Sequence, residues 1–398
     1  MKRIIQGLAL TLAALLGLQS TALALTPVIV PPPQAWRERY QSFSLNLASQ
    51  YLQQSEKDNQ ILSPMSLYLA LGMLAEGARG QTLADLQTLL AGAAGNPLGL
   101  DMAQLGDSVY VDGDTARLIP ANSLWMNKKL PLKEAYIQAV RQGHHAEVFS
   151  EDFADSALSE RIKAWVSRKT EGLIQPELQP SPADMMMLIN ALYFQDKWLI
   201  PFDKAYTQAD VFHLADGGAK PNVPYMHRLD RDTDYVRGEG FLRADLALTG
   251  GGKISLILPD EGITPAELAG SPERLSEALT GGTRAQGNVS WQVPRVDIKN
   301  SINMNDMLTA LGLGSLFSGA DLSGISDAAA SVNRVRQDNR ILLDEVEVKA
   351  ASVTVVEVCM AAPMDKPEVV DMQLTRPYLM AIYARGGELA FIAAVNNP

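Results

Sequence analysis

Hydrophobic and charged residues alternate along a stretch near the C-terminus, from Glu345 to Ala362. A period of two puts one set of side chains on each face of an extended chain and predicts a strand with one buried face. No proline lies between Ile341 and Ala362, so the backbone could join a sheet ladder throughout. By itself this pattern is typical of one arm of a β-hairpin in a finished sheet. The small or apolar even positions are Val348, Ala350, Ser352, Thr354, Val356 and Val358.

Helical spacing dominates the beginning of the chain. Apolar residues recur every three or four positions and predict a first helix over 36–54. Ser63 can cap a second helix with Pro64 in its first turn, and Gly77 and Gly80 would end it. Farther along, apolar runs bounded by turn residues predict strands, within 188–203, 223–226, 254–262 and 293–296.

The first 24 residues follow a third pattern. Lys2 and Arg3 precede a short apolar run and a small-residue end at Ala24. This is typical of a secretory signal cleaved after Ala24, and the apolar run is too short for a comfortable membrane span. The proline-rich stretch 25–35 predicts an extended tail. We therefore expect a secreted or periplasmic protein whose single main domain spans 36–398.

Composition narrows the choice of partners. The formal charge is −11 at pH 7, and loss of Lys2 and Arg3 with the signal would lower it by two. Such an acidic chain argues against nucleic acid or an anionic membrane as the main partner. Cys359 is the single cysteine, so an intramolecular disulfide is impossible and stability must come from packing. We expect a soluble monomer.

Motifs for enzyme chemistry are absent from the sequence. The four histidines lack the spacing of a metal site, and His144 and His145 are adjacent, so their side chains diverge. No nucleophile elbow, S-x-x-K motif or phosphate-binding glycine loop occurs. Cys359 has no neighbouring base that would activate it as a nucleophile. We therefore expect no catalytic activity, no metal and no other cofactor.

Several motifs, in order along the chain, resemble those of the serpins, a family of serine protease inhibitors. Residues 59–82 contain N-x-x-x-S-P-x-S and then A-L-x-M-L-x-x-G-A-x-G-x-T, and residues 188–198 read LINALYFQDKW. The resemblance covers 36–398. It implies an α+β serpin fold with three β-sheets, eight or nine helices and an exposed reactive-centre loop at about 345–367. The chain resembles a secreted member of bacterial type.

A serpin works through the insertion of its own loop. The loop is exposed until a protease cuts it, and it then enters the main sheet as a new strand. The resemblance implies that the even residues from Val348 to Val358 form the inserting face and that Glu347 lies in the hinge. It also implies a set of residues that control the opening of the sheet, namely Ser63, Ser66, Asn190, Trp198 and Gln337.

The reactive bond sets the class of protease. Counting the usual loop length from Glu345 gives Ala361–Ala362, with Met360 and Cys359 as alternates. All of these choices offer a small or medium apolar side chain, which suits a shallow apolar pocket, whereas a trypsin-like pocket needs Lys or Arg. The resemblance therefore implies a covalent acyl complex with an elastase-like serine protease.

The chain departs from the family pattern in two places, at the start of the loop after Glu345 and at Gln337. Glu347 stands where inhibitory serpins usually have glycine, which removes a flexible hinge point. We expect Glu347 on the solvent face, where insertion need not bury its charge. Gln337 stands where many serpins have histidine, and it could still bridge serine and asparagine. These departures motivate an alternative, a non-inhibitory serpin that acts as a binding, carrier or chaperone protein.

Overall fold

The fold combines helices and strands in three sheets. The computed structural model describes residues 33–96, 98, 105, 109–328, 332–348 and 369–398. Pro31–Pro398 forms one compact unit. Within the described residues the chain contains eight α-helices, which fits the expected eight or nine, and three sheets. The predicted α+β class is confirmed.

The helices come mostly from the first half of the chain. None of those among the described residues is long and apolar enough to span a bilayer. Their bounds are α1 Gln34–Leu52, α2 Pro64–Gly77, α3 Gly80–Ala91, α4 Glu134–His144, α5 Leu158–Lys169, α6 Pro265–Leu268, α7 Pro272–Thr280 and α8 Asn305–Leu308.

The first two helices begin close to where the spacing predicts. α1 starts at Gln34 and includes the end of the predicted tail. α2 starts at Pro64 as predicted, and the hydroxyl of Ser63 accepts a hydrogen bond from the Ser66 amide at 3.2 Å. This cap satisfies one of the amides left free at a helix start. Gly77 is the last residue of α2, whereas Gly80 opens α3 with φ at +52° instead of ending α2.

The largest sheet has nine strands. Its order is β1-β16-β15-β9-β8-β7-β10-β14, and β6 pairs with β7. Both β15 and β16 are buried at every residue. The bounds are β1 Gln60–Leu62, β6 Gln208–His213, β7 Ala219–Gly238, β8 Phe241–Ala247, β9 Lys253–Pro259, β10 Thr283–Pro294, β14 Val369–Gln373, β15 Tyr378–Tyr383 and β16 Leu389–Val395.

Two smaller sheets share the main hydrophobic core with it. One has the order β13-β5-β3-β2, with β4 paired to β3, and the other is the antiparallel pair β11-β12. The bounds are β2 Val111–Asp112, β3 Ala116–Asn127, β4 Glu147–Glu151, β5 Met186–Lys197, β11 Val296–Asn303, β12 Arg336–Leu343 and β13 Glu347–Val348.

The two faces of β5 belong to two different cores. Its even residues Met186 and Leu192 are buried in the main core together with α1, α2 and the nine-stranded sheet. Its odd residue Ala191 is buried in a smaller core beneath α5, where the rings of Trp125 and Trp165 meet edge to face with centroids 6.5 Å apart. The alternation of side chains along a strand explains this division. β5 is therefore covered on both faces.

Candidate functional site

The unusual feature of the fold is the junction between β5 and β12, which we call the seam. In the described residues β5 pairs with β3 along one edge and only with β13 along the other, while β12 pairs only with β11. No ladder joins β5 to β12 within that part of the chain. Unpaired edges of this kind can accept a further strand.

Cavities follow the seam. One of about 780 Å³ is lined by Leu192–Gln195 and Arg340–Leu343, and its lining includes Ile254 and Phe391 of the nine-stranded sheet. A smaller one of about 40 Å³ is lined by residues from the starts of both strands. Because starts lie beside starts and ends beside ends, β5 and β12 run in the same direction.

At the C-terminal end of β12 the chain turns back toward β5. The Asp344 amide donates to the Glu347 carbonyl at 2.9 Å, and the Asp344 carboxylate accepts from the Val346 amide at 2.9 Å. Side-chain to backbone bonds of this kind stabilise a tight turn. After the turn, Glu347 and Val348 pair antiparallel with Lys197 and Asp196. Both residues of β13 thus already lie on the otherwise unpaired edge of β5.

A buried carboxylate fixes this turn. Glu345 is 1% exposed, and it accepts hydrogen bonds from Arg295 Nε at 2.8 Å and from the Thr207 hydroxyl at 2.6 Å. Burial raises the pKa of Glu345, but these two donors outweigh burial and hold it below its ordinary value. The indole of Trp198 donates to the Asp344 carbonyl at 2.7 Å. The turn is therefore held at Asp344 and at Glu345.

The expectation that Glu347 is exposed to solvent is wrong. Its register partner is Lys197, so it lies on the outer face as expected, yet it is only 7% exposed. The outer face is not open here, because the chain after α5 lies over it and lines the cavity with Glu171 and Leu173. The Gln195 amide lies 3.5 Å from the Glu347 carboxylate. The hinge charge is therefore buried even before any insertion.

Asp196 is a site residue that the sequence reasoning missed. It is 3% exposed and accepts from the Gly250 amide at 3.0 Å and the Thr249 hydroxyl at 2.9 Å. Burial raises the pKa of Asp196, although these donors oppose it. Its carboxylate thereby ties the end of β5, next to Val348 in the register, to the turn before β9. An acidic residue inside an otherwise apolar strand was the available signal.

Gln337 holds the start of α2 from the β12 side. Its side-chain oxygen accepts from the Ser63 amide and its nitrogen donates to the Ser63 carbonyl, both at 2.9 Å. The oxygen also accepts from Asn339 at 3.2 Å. The expected bridge from Gln337 to an asparagine is therefore made to Asn339 and not to Asn190. The amide of Gln337 carries both a donor and an acceptor, and both bind the backbone of the same residue, Ser63.

Asn190 is held from the β5 side. The Ser66 hydroxyl donates to its oxygen, and its nitrogen donates to the oxygen of Asn122 on β3. Asn122 in turn donates to the His144 carbonyl at 3.0 Å. The structure therefore brings Ser63, Ser66, Asn190 and Gln337 together at the start of α2, where α2 is linked to both sides of the seam. Trp198 lies apart from them, at the far end of β5.

Among the described residues, no group of three or more His, Cys, Asp or Glu side chains could hold a metal ion. The other sequence-based site residues lie outside the described part of the chain. These are Ala350, Ser352, Thr354, Val356, Val358, Cys359, Met360, Ala361 and Ala362.

Comparison with known proteins agrees with the family that the sequence motifs resemble. The sequence model of a family described as Serpin (serine protease inhibitor) matches residues 38–398. The chain belongs to the serpin family. In this serpin the seam lies between the two smaller sheets, β13-β5-β3-β2 and β11-β12.

Individual relatives agree with the family. Serpin A3-1 of Bos taurus is 29% identical over 368 residues, which cover 89% of this chain and 87% of that protein. Among solved structures, the native state of the thermophilic serpin tengpin has a TM-score of 0.78 and 25% identity, covering 92% of this serpin and 95% of that chain. Thyroxine-binding globulin in complex with thyroxine has a TM-score of 0.76 at 24% identity, with coverage of 91% and 99%. The bovine relative does not support the expected bacterial type.

Proposed function

We propose that this serpin inhibits serine proteases by inserting its cleaved loop into the seam. The observation that carries the proposal is the pairing of Glu347 and Val348 with the free edge of β5. This pairing starts a strand that would run antiparallel to β5. Because β5 and β12 run in the same direction, the same strand would be antiparallel to β12 as well. The loop that follows Val348 needs no change of direction to fill the seam.

The register of β13 supports the expected inserting face. Val348 is opposite Asp196, an inward position of β5, and continuing the pairing keeps even residues opposite even residues. The twelve residues of β5 would then be matched by 347–358. The resulting pairs are Ala350 with Phe194, Ser352 with Leu192, Thr354 with Asn190, Val356 with Leu188 and Val358 with Met186.

Insertion would be favourable for two reasons. The free edges of β5 and β12 would both gain ladder hydrogen bonds, each with a net contribution of about 1 kcal/mol. The small inward side chains would also fill the cavity above Ile254 and Phe391, which adds apolar burial. The intact protein would therefore be metastable. Cleavage of the loop would allow it to insert, and insertion would release enough free energy to displace the acyl-linked protease.

The loop sequence supports an elastase-like target. Residues 350–365 contain neither lysine nor arginine, so the alternatives Ala361, Met360 and Cys359 all present an apolar residue to the protease. A shallow apolar pocket accepts such residues. We propose Ala361–Ala362 as the reactive bond and a covalent acyl complex as the product. In this role the serpin is a substrate-like inhibitor and not an enzyme.

The first experiment mixes the protein with an elastase, a chymotrypsin and a trypsin. We expect a complex with the elastase that survives denaturing gel electrophoresis, with a released peptide that starts at Ala362. Peptides that start at Ala361 or Met360 would move the reactive bond to one of the alternates. Cleavage by all three proteases without any complex would contradict inhibition of these classes.

Replacing Thr354 by Arg tests the inserting face. The register puts residue 354 opposite Asn190, beside the start of α2, where a guanidinium would be buried without a carboxylate partner. We expect Thr354→Arg to be cut by the elastase and released, with the complex reduced at least about tenfold. The matched control is Glu357→Arg on the outward set, opposite Met187, where the loop already carries a charged side chain; it should retain more of the complex. Equal losses in both variants would contradict the register.

The second candidate function is that of a non-inhibitory binding, carrier or chaperone protein. The buried Glu347 favours it, because a carboxylate buried at the hinge resists movement of the turn. The fold shared with thyroxine-binding globulin, at 24% identity, shows only that the same architecture occurs in a protein of that kind. A cut protein that melts no higher than the intact one would favour this second function.

We also propose that the protein is exported and that its signal is removed after Ala24. The charged start, short apolar run and small-residue end of 1–24 support this. Mass spectrometry of the protein recovered from the periplasm or medium of an expressing cell should find a chain that begins at Leu25. Recovery of Met1 in a chain retained inside the cell would contradict export.

A further inference from the structure

The segment between α5 and β5 crosses the outer face of the seam, and we call residues 170–185 the strap. On the β5 side, Ile174 and Leu178 of the strap are buried in the smaller core with Ala191. The strap therefore has a firm apolar attachment to one side of the seam. The strap is attached to the β12 side by hydrogen bonds instead of apolar contacts.

Polar bonds tie the strap to the β12 side. Arg336 Nη1 donates to the Glu177 carbonyl at 2.8 Å, and Arg340 Nη1 donates to the Leu173 carbonyl at 3.3 Å. Both arginines belong to the outward set of β12 residues, while Gln337 and Asn339 point inward. The strap thus bridges the two strands that a new strand would have to separate.

Each arginine is held in place by a carboxylate. Arg336 Nε and Nη2 donate to Asp338 on the same strand at 3.0 and 2.8 Å. Arg340 Nε and Nη2 donate to Asp297 on β11, both at 2.9 Å. A bidentate pair fixes the plane of a guanidinium and leaves its remaining N–H groups aimed in one direction. In both cases that direction is a carbonyl of the strap.

We propose that Arg336 and Arg340 are positioning residues that hold the strap closed over the seam and thereby set the rate at which a strand can insert. A strand inserted between β5 and β12 would put these strands about 9.5 Å apart, twice the usual spacing. The strap is attached to β5 through Ile174 and Leu178, so its carbonyls cannot follow β12 over that distance. Both arginine bonds must break for the seam to widen. The identity of the inserting strand rests on the proposed function, whereas the closure of the strap does not.

The experiment compares Arg336→Gln, Arg340→Gln and the double variant with the parent protein. Hydrogen exchange at the Leu173 and Ile174 amides, which donate to the carbonyl and the hydroxyl of Thr170, reports opening of the strap. The rate of uptake of a synthetic peptide of sequence 349–358 by the uncut protein reports insertion without any protease. We expect both rates to rise about tenfold for Arg336→Gln and about threefold for Arg340→Gln, whose hydrogen bond is longer.

Two further variants test whether the effects are specific to the contacts between the arginines and the strap. Asp297→Asn leaves Arg340 in place but weakens its orientation, and it should raise both rates by a smaller factor than Arg340→Gln. The matched control is Arg284→Gln, which removes an exposed arginine paired with Asp234 in the nine-stranded sheet. Both rates should be unchanged in this control.

Unchanged rates in the double variant would overturn the proposal. Faster exchange with unchanged peptide uptake would also overturn it, because the arginines would then hold the strap without limiting insertion. If no variant takes up peptide at all, the proposed function is contradicted, and the exchange rates still decide whether the arginines close the strap.

Discussion

The strands β15 and β5 show two ways of building a sheet in one chain. β15 is hydrogen-bonded along both edges, to β9 and β16, and is buried at every residue. β5 is bonded to β3 along one edge, while among the described residues its other edge has only the two pairs with β13. The nine-stranded sheet is therefore complete, and the seam is held by side chains such as Gln337 and Arg336. In the proposed mechanism, the free energy that loop insertion releases comes from pairing at the seam.

The comparison separates two classes of substitution. A change in the nine-stranded sheet should destabilise the intact and the loop-cleaved protein equally, since that sheet is the same in both. A change at the seam should alter the difference between the two forms, because only there does cleavage change the pairing.

The largest effect is expected in the complete sheet. Ile392 on β16 is fully buried and is paired with Leu62 and Ala381. Replacing Ile392 by Ala should lower the free energy of unfolding by about 2–5 kcal/mol, because it leaves a cavity in a packed core. Urea unfolding of the intact and the cleaved protein should show the same loss. Val369→Ala, at an exposed position of β14, is the control and should cost little. A loss of stability in only the intact or only the cleaved protein would contradict the claim that the nine-stranded sheet is the same in both.

The next effect is expected where Gln337 holds Ser63. Gln337→Ala leaves the buried amide and carbonyl of Ser63 without this partner and should cost the intact protein about 1–3 kcal/mol. Gln286→Ala removes one exposed hydrogen bond to Asp232 and should change stability by less than about 0.5 kcal/mol. Equal stabilities of the two variants in urea unfolding would mean that Gln337 does not hold the seam.

The smallest expected effect is on the stability of the protein at acidic pH. The pKa of Glu345 is below its ordinary value of 4.5 in the folded protein. Its contribution to stability is therefore fully present above about pH 4.5 and is lost as the pH falls through the lower folded pKa. Arg295→Gln should remove about 1 kcal/mol at pH 7, a modest amount because the Arg295 side chain is 44% exposed.

The same variant should also flatten the stability curve below pH 4.5. Unfolding measured between pH 7 and pH 3 tests this, with Arg284→Gln as the control for loss of an exposed ion pair. A steeper acid loss in Arg295→Gln than in the parent would contradict the assignment.

Local signals in the sequence predicted much of the fold. Ser63 followed by Pro64 marks the start of α2, and the spacing from Trp36 to Tyr51 marks α1, because caps and periodicity act within a few residues. The strand alternation near Glu347 predicted its face correctly, although not its burial. That burial depends on the chain around Glu171, which is distant in sequence and leaves no periodic trace.

The contacts that hold the seam could not be predicted in the same way. Gln337 was placed near α2 through family resemblance, but its choice of Ser63 and Asn339 over Asn190 depends on distances within the folded core. Asp196 and Arg336 act through backbone groups of other segments, and backbone groups carry no sequence signature. The seam itself is defined by unpaired edges in the described chain, which no local pattern can reveal.

The most direct test of the account is the melting temperature of the protein before and after one cut in residues 349–368. The account predicts that the cut chain inserts into the seam and melts about 10 °C or more higher, because both edges gain ladder hydrogen bonds. Exchange of β5 and β12 amides should slow at the same time. A cut protein that melts at or below the temperature of the intact one would show that the seam does not accept the loop, and the central claim would be wrong.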